Sequence, residues 1–185
     1  TNDNEIKKLY EFLPKNIKLK MIYSNIEDIG NLTKIWNNCF TQAYNDGYDY
    51  FFQCGDDIMF KNNNWIDYSI NKLQENNDIG LTGPLDVKYV IGKKINKNIE
   101  IIQTQSFVSR KHYEIFNYFF PPEIKNWYSD NWITEIYKPN NYYIDEKYLL
   151  HNNSKKPRYE IENFEKENKL NFEKLVQEGK EKIKK

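Results

Sequence analysis

The sequence predicts an α/β domain with a largely parallel sheet, and three observations carry that prediction. Helix-like and strand-like segments alternate through the first half of the chain, as βα units do. The run Tyr48–Gln53 is almost continuously aromatic, which suits a strand buried on both faces. That run leads into two adjacent carboxylates, Asp56 and Asp57, where a sheet edge can present acids to a ligand.

Taken in order, Asn4–Leu13 sets Ile6, Leu9, Tyr10 and Leu13 at helical spacing and stops at Pro14. Ile17–Tyr23 alternates Ile17, Leu19, Met21 and Tyr23, a strand with one buried face. Thr33 is placed to cap a helix running to about Asn45, with Ile35, Trp36, Cys39, Phe40 and Ala43 on one stripe and Asp46-Gly47 as its stop. After the aromatic strand, Asn64–Asn77 reads as an amphipathic helix, and Ile79–Thr82 as a strand closed by Gly83-Pro84. Val87–Ile91 and Ile99–Ser109 look extended, with a hairpin or loop over Gly92–Asn96 between them. Helices follow at Lys111–Phe119, stopped by Pro121-Pro122, and at Ser129–Tyr137, with Tyr142–Leu150 extended after them. From about Tyr159 the chain is highly charged. Ile161, Phe164, Leu170, Phe172 and Leu175 give a terminal helix a thin apolar stripe, expected to fray over Glu178–Lys185. These readings divide the chain into one domain over residues 1–158 and a charged helix or tail over 159–185.

Composition narrows the function. The 185 residues carry 27 basic and 27 acidic side chains, which lacks the basic excess of a nucleic-acid or membrane-surface binder. No apolar run approaches the roughly 18 residues of a membrane span, so a soluble chain is expected, cytoplasmic or acting in a host cell's cytoplasm. Two cysteines, Cys39 and Cys54, are too few for a disulfide framework and read as core residues. Aromatics make up 16% of the chain, so Tyr, Phe and Trp must supply most of the buried area. The richness in Asn and Lys is what an AT-rich genome writes.

A buried carboxylate without compensation costs several kcal/mol or becomes neutral. Asp56 and Asp57 at a strand end therefore read as a pair that can hold a divalent cation and, through it, a substrate's phosphates. Further on, Trp127 and Trp132 bracket Asp130 at a helix start, where the macrodipole favours a carboxylate in its ionised form. Acids beside aromatic faces suit a sugar, whose hydroxyls bind the acids while its apolar face stacks. Trp127 and Trp132 offer such a wall. Trp132 is the one expected to line a pocket, and Trp36, Trp65 and Trp127 otherwise read as core. His151 follows the apolar pair Leu149-Leu150, whereas His112, after Arg110-Lys111, reads as a surface residue.

In these landmarks the chain resembles the metal-dependent glycosyltransferases of GT-A fold, over about residues 15 to 155. Gly55-Asp56-Asp57 is similar to their DxD-type motif, with Gly55 in place of the first acid. The resemblance implies a single Rossmann-like domain with a mainly parallel central sheet. It implies Mn²⁺ or Mg²⁺ held by Asp57 and His151, with Asp56 touching the metal or the ribose and Gly83 beside the donor sugar. Ser129-Asp130-Asn131 resembles the motif of the catalytic base, which makes Asp130 the general base of an inverting transfer. The donor implied is a nucleotide sugar, a UDP-sugar first, and the acceptor a glycan or protein hydroxyl. The family opens with an apolar strand that holds the nucleotide base, and nothing before Asn4 reads as that strand. Two other readings are a nucleotidyltransferase, for which a Gly-rich phosphate loop is missing, and a catalytically degenerate binding or structural module of a larger protein.

Overall fold

The computed structural model describes residues 16–28, 30–153 and 167–184. The helix expected over Asn4–Leu13 lies outside the described residues. Five of the helices described fall where the periodicity places them: α1 (Leu32–Asn45), α2 (Trp65–Gln74), α4 (Arg110–Phe116), α5 (Ser129–Tyr137) and α6 (Glu167–Ile183). Asn31, not Thr33, caps α1, its side chain accepting the Lys34 N–H at 3.1 Å. Between α2 and α4 lies α3 (Val87–Ile95), where an extended stretch and a loop are expected. Asp86 explains the difference. Its carboxylate accepts the Lys88 N–H at 3.0 Å, and this cap outweighs the strand preference of Val87, Val90 and Ile91.

The strands are short: β1 (Tyr50–Phe52), β2 (Ile58–Phe60), β3 (Leu85–Asp86), β4 (Phe107–Ser109) and β5 (Leu149–Asn152). They form a β1–β4 pair and a β2–β5–β3 sheet. β1 runs antiparallel to β4, Phe51 opposite Val108, and β2 antiparallel to β5, Met59 opposite His151; β3 alone pairs in parallel. The class is mixed α/β, but the mainly parallel central sheet is not what these ladders make. Ile79–Thr82 contributes only single bridges, Leu81 to Tyr142 and Thr82 to Phe107, because Gly83, at φ 131°, turns the chain directly after them. Ile17–Tyr23 is not a strand either. Ile17, Leu19 and Tyr23 are exposed, and no described strand pairs with the segment to bury its alternating face.

The core is aromatic, as composition requires. Phe40 of α1 meets Phe51 of β1 edge-to-face at 4.7 Å and Phe119 at 4.9 Å, and Phe116, Phe120, Trp132 and Tyr137 complete the cluster with Leu81, Val108 and Ile133. Helix α6 packs across α5. It remains helical to Ile183 rather than fraying from Glu178, and Gly179 lets it in: a Cβ there would lie 2.6 Å from Ile136 Cγ2 and 3.4 Å from Trp132 Cζ2. Among the described residues no helix is long and apolar enough to cross a membrane.

His112 is not at the surface but 1% exposed in this core. Its Nε2–H donates to the Phe119 carbonyl at 3.0 Å, and its Nδ1 accepts from the Tyr137 hydroxyl at 2.7 Å, the only tautomer that satisfies both. Burial lowers its pKa to about 4. A depressed histidine pKa gives stability that is complete above the unfolded value of about 6.5 and is lost as pH falls from there towards 4, roughly 3 kcal/mol in all. The imidazole proton resonances of His112 should therefore hold their neutral-form positions from pH 8 down to about 5. A titration midpoint near 6.5 would place the ring in solvent.

Candidate functional site

One cleft of about 590 Å³ gathers most of the chemistry. Its first wall is the exit of β1, Gln53 to Asp57. Trp36 of α1 and Tyr89 of α3 flank it, Thr104 and Gln105 lie beneath, and the segment Asn126–Asn131 closes the far side. Asp56 and Asp57 thus share a cavity with Asp130 and Trp127, residues 70 or more positions away in the sequence.

The acid pair is held by its backbone. The Gly55 N–H donates to Gln105 Oε1 at 2.9 Å before the pair, and the Asp57 carbonyl accepts the Asn153 N–H at 2.8 Å after it. Ile58 then pairs with Asn152, which ties the turn to the end of β5. A Cβ at Gly55 would sit 2.6 Å from Asp57 Oδ1, so that carboxylate would have to shift to make room for it.

Asp130 lies in the first turn of α5, after Tyr128, which holds a left-handed φ of 74°. Non-glycine residues take that conformation at a cost of order 1–3 kcal/mol, met where the surroundings fix it. The Asp130 carbonyl accepts the Thr134 hydroxyl at 2.7 Å, and Thr134 Oγ1 accepts the Gln103 N–H at 3.0 Å, which fixes the turn to the segment below the cleft. Although half-exposed, the Asp130 carboxyl is enclosed by protein on most sides. This desolvation raises its pKa to about 7, with the Lys88 cation pulling it back down. This differs from the expectation of an ordinary, fully ionised aspartate: desolvation favours the protonated form.

Three expected site residues lie elsewhere. Trp132 is fully buried in the core, its Nε1–H donating to the Leu175 carbonyl at 3.1 Å, so it forms no wall. Trp36, expected in the core, lines the cleft instead, and so does Trp127, which reads in the sequence both as core and as one face of the aromatic wall. Gly83 is buried against Gln103 Nε2 and the Gln105 carbonyl and does not reach the cavity. His151 is an exposed position of β5 opposite Met59. Strand alternation sends Leu150 and Asn152 to one face and His151 to the other, so β5 gives the cleft Asn152 and not the histidine. Among the described residues no group of three or more His, Cys, Asp or Glu side chains is placed to hold a metal ion.

Sequence reasoning missed Tyr89, Thr104, Gln105 and Asn152. Tyr89 was hidden by the misread segment after Asp86, and the Asp86-x-Lys88 cap was the available signal. Gln53 Oε1 and Thr104 Oγ1, both on the cleft, are buried with no hydrogen-bond partner among the described residues.

Comparisons with protein-family models, curated proteins and solved structures give no match for the chain.

An aspartate whose folded pKa is raised favours its protonated form, so it weakens the fold progressively as pH climbs from about 4 to about 7. Asp130→Asn removes that burden. The melting temperature of the variant should gain on the wild type between pH 4 and pH 7 and keep a constant lead above. A lead that does not change with pH would mean that the carboxyl titrates as if in water.

Proposed function

We propose that the cleft transfers a sugar from a nucleotide-sugar donor to an acceptor hydroxyl, with inversion at the anomeric carbon. The observation that supports this reading best is the meeting of the Asp56-Asp57 turn with Asp130 and Trp127 in one cavity. An acid pair beside the leaving diphosphate and a separate carboxyl for the acceptor are the two acidic functions that a single displacement requires.

In this reading the acceptor sugar stacks on the Trp127 indole and turns a hydroxyl towards Asp130. The carboxylate takes the hydroxyl proton as the oxygen attacks the anomeric carbon. The new C–O bond forms as the bond to the diphosphate oxygen breaks, and the nucleoside diphosphate leaves with the electron pair. Attack from the face opposite the leaving group inverts the configuration. A carboxyl titrating at about 7 is a stronger base than an ordinary aspartate and is still ionised in half the molecules at that pH.

A divalent cation fits the donor set as oxygen chemistry. Asp56, Asp57 and the Asn152 side-chain carbonyl are hard ligands, and Mg²⁺ and Mn²⁺ commonly take one or two carboxylates and fill the remaining positions with substrate phosphate and water. Bound there, it would neutralise the charge of the departing diphosphate. His151 has no part in this set.

Calorimetry with UDP and Mn²⁺ tests the donor side. Asp57→Asn should abolish most of the metal-dependent binding, with little change in melting temperature, because a turn carboxylate at the rim contributes little to the fold. Asp130→Asn should bind UDP and Mn²⁺ as the wild type does and lower transfer from a UDP-sugar by about 100-fold or more. Undiminished binding by Asp57→Asn, or normal transfer by Asp130→Asn, would remove the assignment of the residue concerned. The product linkage, read by NMR, should have the anomeric configuration opposite to that of the donor.

A further inference from the structure

The chain as a whole balances its charges, but the segment Val87–Ile99 does not: it carries Lys88, Lys93, Lys94 and Lys97 and no acid. Lys88 engages the buried Asp86 carboxylate, 3.4 Å away. Elsewhere Lys72, Lys111 and Lys147 each meet an acid within three positions, at 2.7, 2.8 and 3.0 Å. No ion pair among the described residues includes Lys93, Lys94 or Lys97. The last turn of α3 suits Lys93 and Lys94 as cations at a helix C-terminus, but that does not account for the apolar side chains among them. Val90 turns inward and completes a small core with Leu85 and Ile101. Ile91 and Ile95, one turn apart, are left outside at 52% and 82% exposed. Beyond the helix the Ile99 N–H donates to the Asn96 carbonyl at 3.0 Å, and this turn lays Ile99, 36% exposed, against Gly92. A Cβ at Gly92 would lie 3.3 Å from Ile99 Cδ1, so the glycine is the notch through which the third isoleucine joins the other two. Single exposed isoleucines are ordinary, whereas three gathered among unpaired lysines mark an interaction surface.

We infer that this outer face of α3 and the turn after it dock on an anionic lipid surface. Ile91, Ile95 and Ile99 enter the boundary between headgroups and acyl chains, and Lys93, Lys94 and Lys97 hold the lipid phosphates and carboxylates. A short helix with an apolar stripe and flanking lysines lies flat in that boundary. Lysine stems follow the apolar layer while their ammonium groups stay among the headgroups, and each is drawn by the negative surface potential. A macromolecular partner fits the patch less well. Protein interfaces are anchored by Trp, Tyr and Arg, and single-stranded nucleic acid stacks on aromatic rings. The exposed side chains from Ile91 to Ile99 are Ile, Lys and Asn alone. Lipid takes aliphatic tips without a matching shape. The inference stands apart from the sugar-transfer reading, but α3 also gives Tyr89 to the cleft, so a membrane bound on the outer side of this helix carries the cleft with it.

The experiment floats the full chain with vesicles of phosphatidylcholine alone and of phosphatidylcholine with about one-third phosphatidylserine. Binding should require the phosphatidylserine and weaken as added salt screens the surface charge. Lys93→Gln/Lys94→Gln/Lys97→Gln should lower the partition coefficient by about 100-fold, roughly fivefold for each lysine. Ile91→Gln/Ile95→Gln should lower it by about tenfold or more. Both variants change exposed side chains, so their melting temperatures should match the wild type. Ile95→Trp should add to the wild-type fluorescence an emission that brominated phosphatidylcholine in the anionic vesicles quenches. Failure of the wild type to float with anionic vesicles overturns the inference, as does an added tryptophan that the brominated lipid leaves unquenched. Full-strength binding by the isoleucine variant would show a patch that attracts any polyanion and overturns it too. A wild type that sediments as a dimer, with the isoleucine variant a monomer, would assign the patch to a second copy of this chain instead.

Discussion

The site depends on a polar seam between α1 and the segment that follows α4. Helix starts carry backbone N–H groups with no partner inside the helix, and irregular loops carry the same deficit throughout. Here each satisfies the other. Asn126 accepts the Leu32 N–H through Oδ1 at 3.0 Å and donates from Nδ2 to the Gly30 carbonyl, while the Thr33 N–H donates to the Lys125 carbonyl at 2.9 Å. One turn further along, Asn37 Oδ1 accepts the N–H groups of both Phe119 and Phe120, and its Nδ2 donates to the Phe120 carbonyl at 2.8 Å. Carboxamides are suited to this because each offers donors and an acceptor at once. With the loop fixed at both places, Trp127 and the start of α5 face the acid-tipped exit of β1. The asparagine content, which composition alone ascribes to codon bias, contains residues that position the cleft.

What was legible in the sequence followed from strong local signals. The stripe of α1, the aromatic run of β1 and the pattern Ser129–Tyr137 declared their elements, and the two acid landmarks are the ones that the fold brings into one cavity. What was not legible depended on partners distant in the chain. Ile17–Tyr23 alternates correctly for a strand, but alternation makes no sheet without a neighbour. Val87–Ile91 has strand composition, and a single capping carboxylate reversed it. Neither His112 nor His151 takes its expected place, because histidine burial is decided by tertiary contacts: a hydroxyl and a carbonyl hold the first ring in the core, while the strand's pleat sends the second outward from the cleft.

Burial also gives this protein two titrations that oppose each other. Between about pH 4 and 6.5, acidification weakens the fold through His112, which must take up a proton in the core, and strengthens it through Asp130, which is relieved of its charge. A melting curve recorded against pH would partly conceal both. The opposition bears on the proposed function, in which a carboxyl kept basic by desolvation would cost stability at the pH of transfer while the aromatic core built around the neutral histidine keeps its full strength there.

Gly179 determines more than whether α6 can approach. The helix is charged along most of its length, so apolar contact alone distinguishes poorly between one docked position and the next. A position defined by the absence of a side chain does distinguish them. The ridge made by Ile136 and Trp132 fits only where α6 has a notch, and a shift of one residue in either direction would drive Glu178 or Lys180 into it. The glycine therefore acts as an index mark, which fixes the rotation and the height of a polar helix against the back of the helix that carries Asp130.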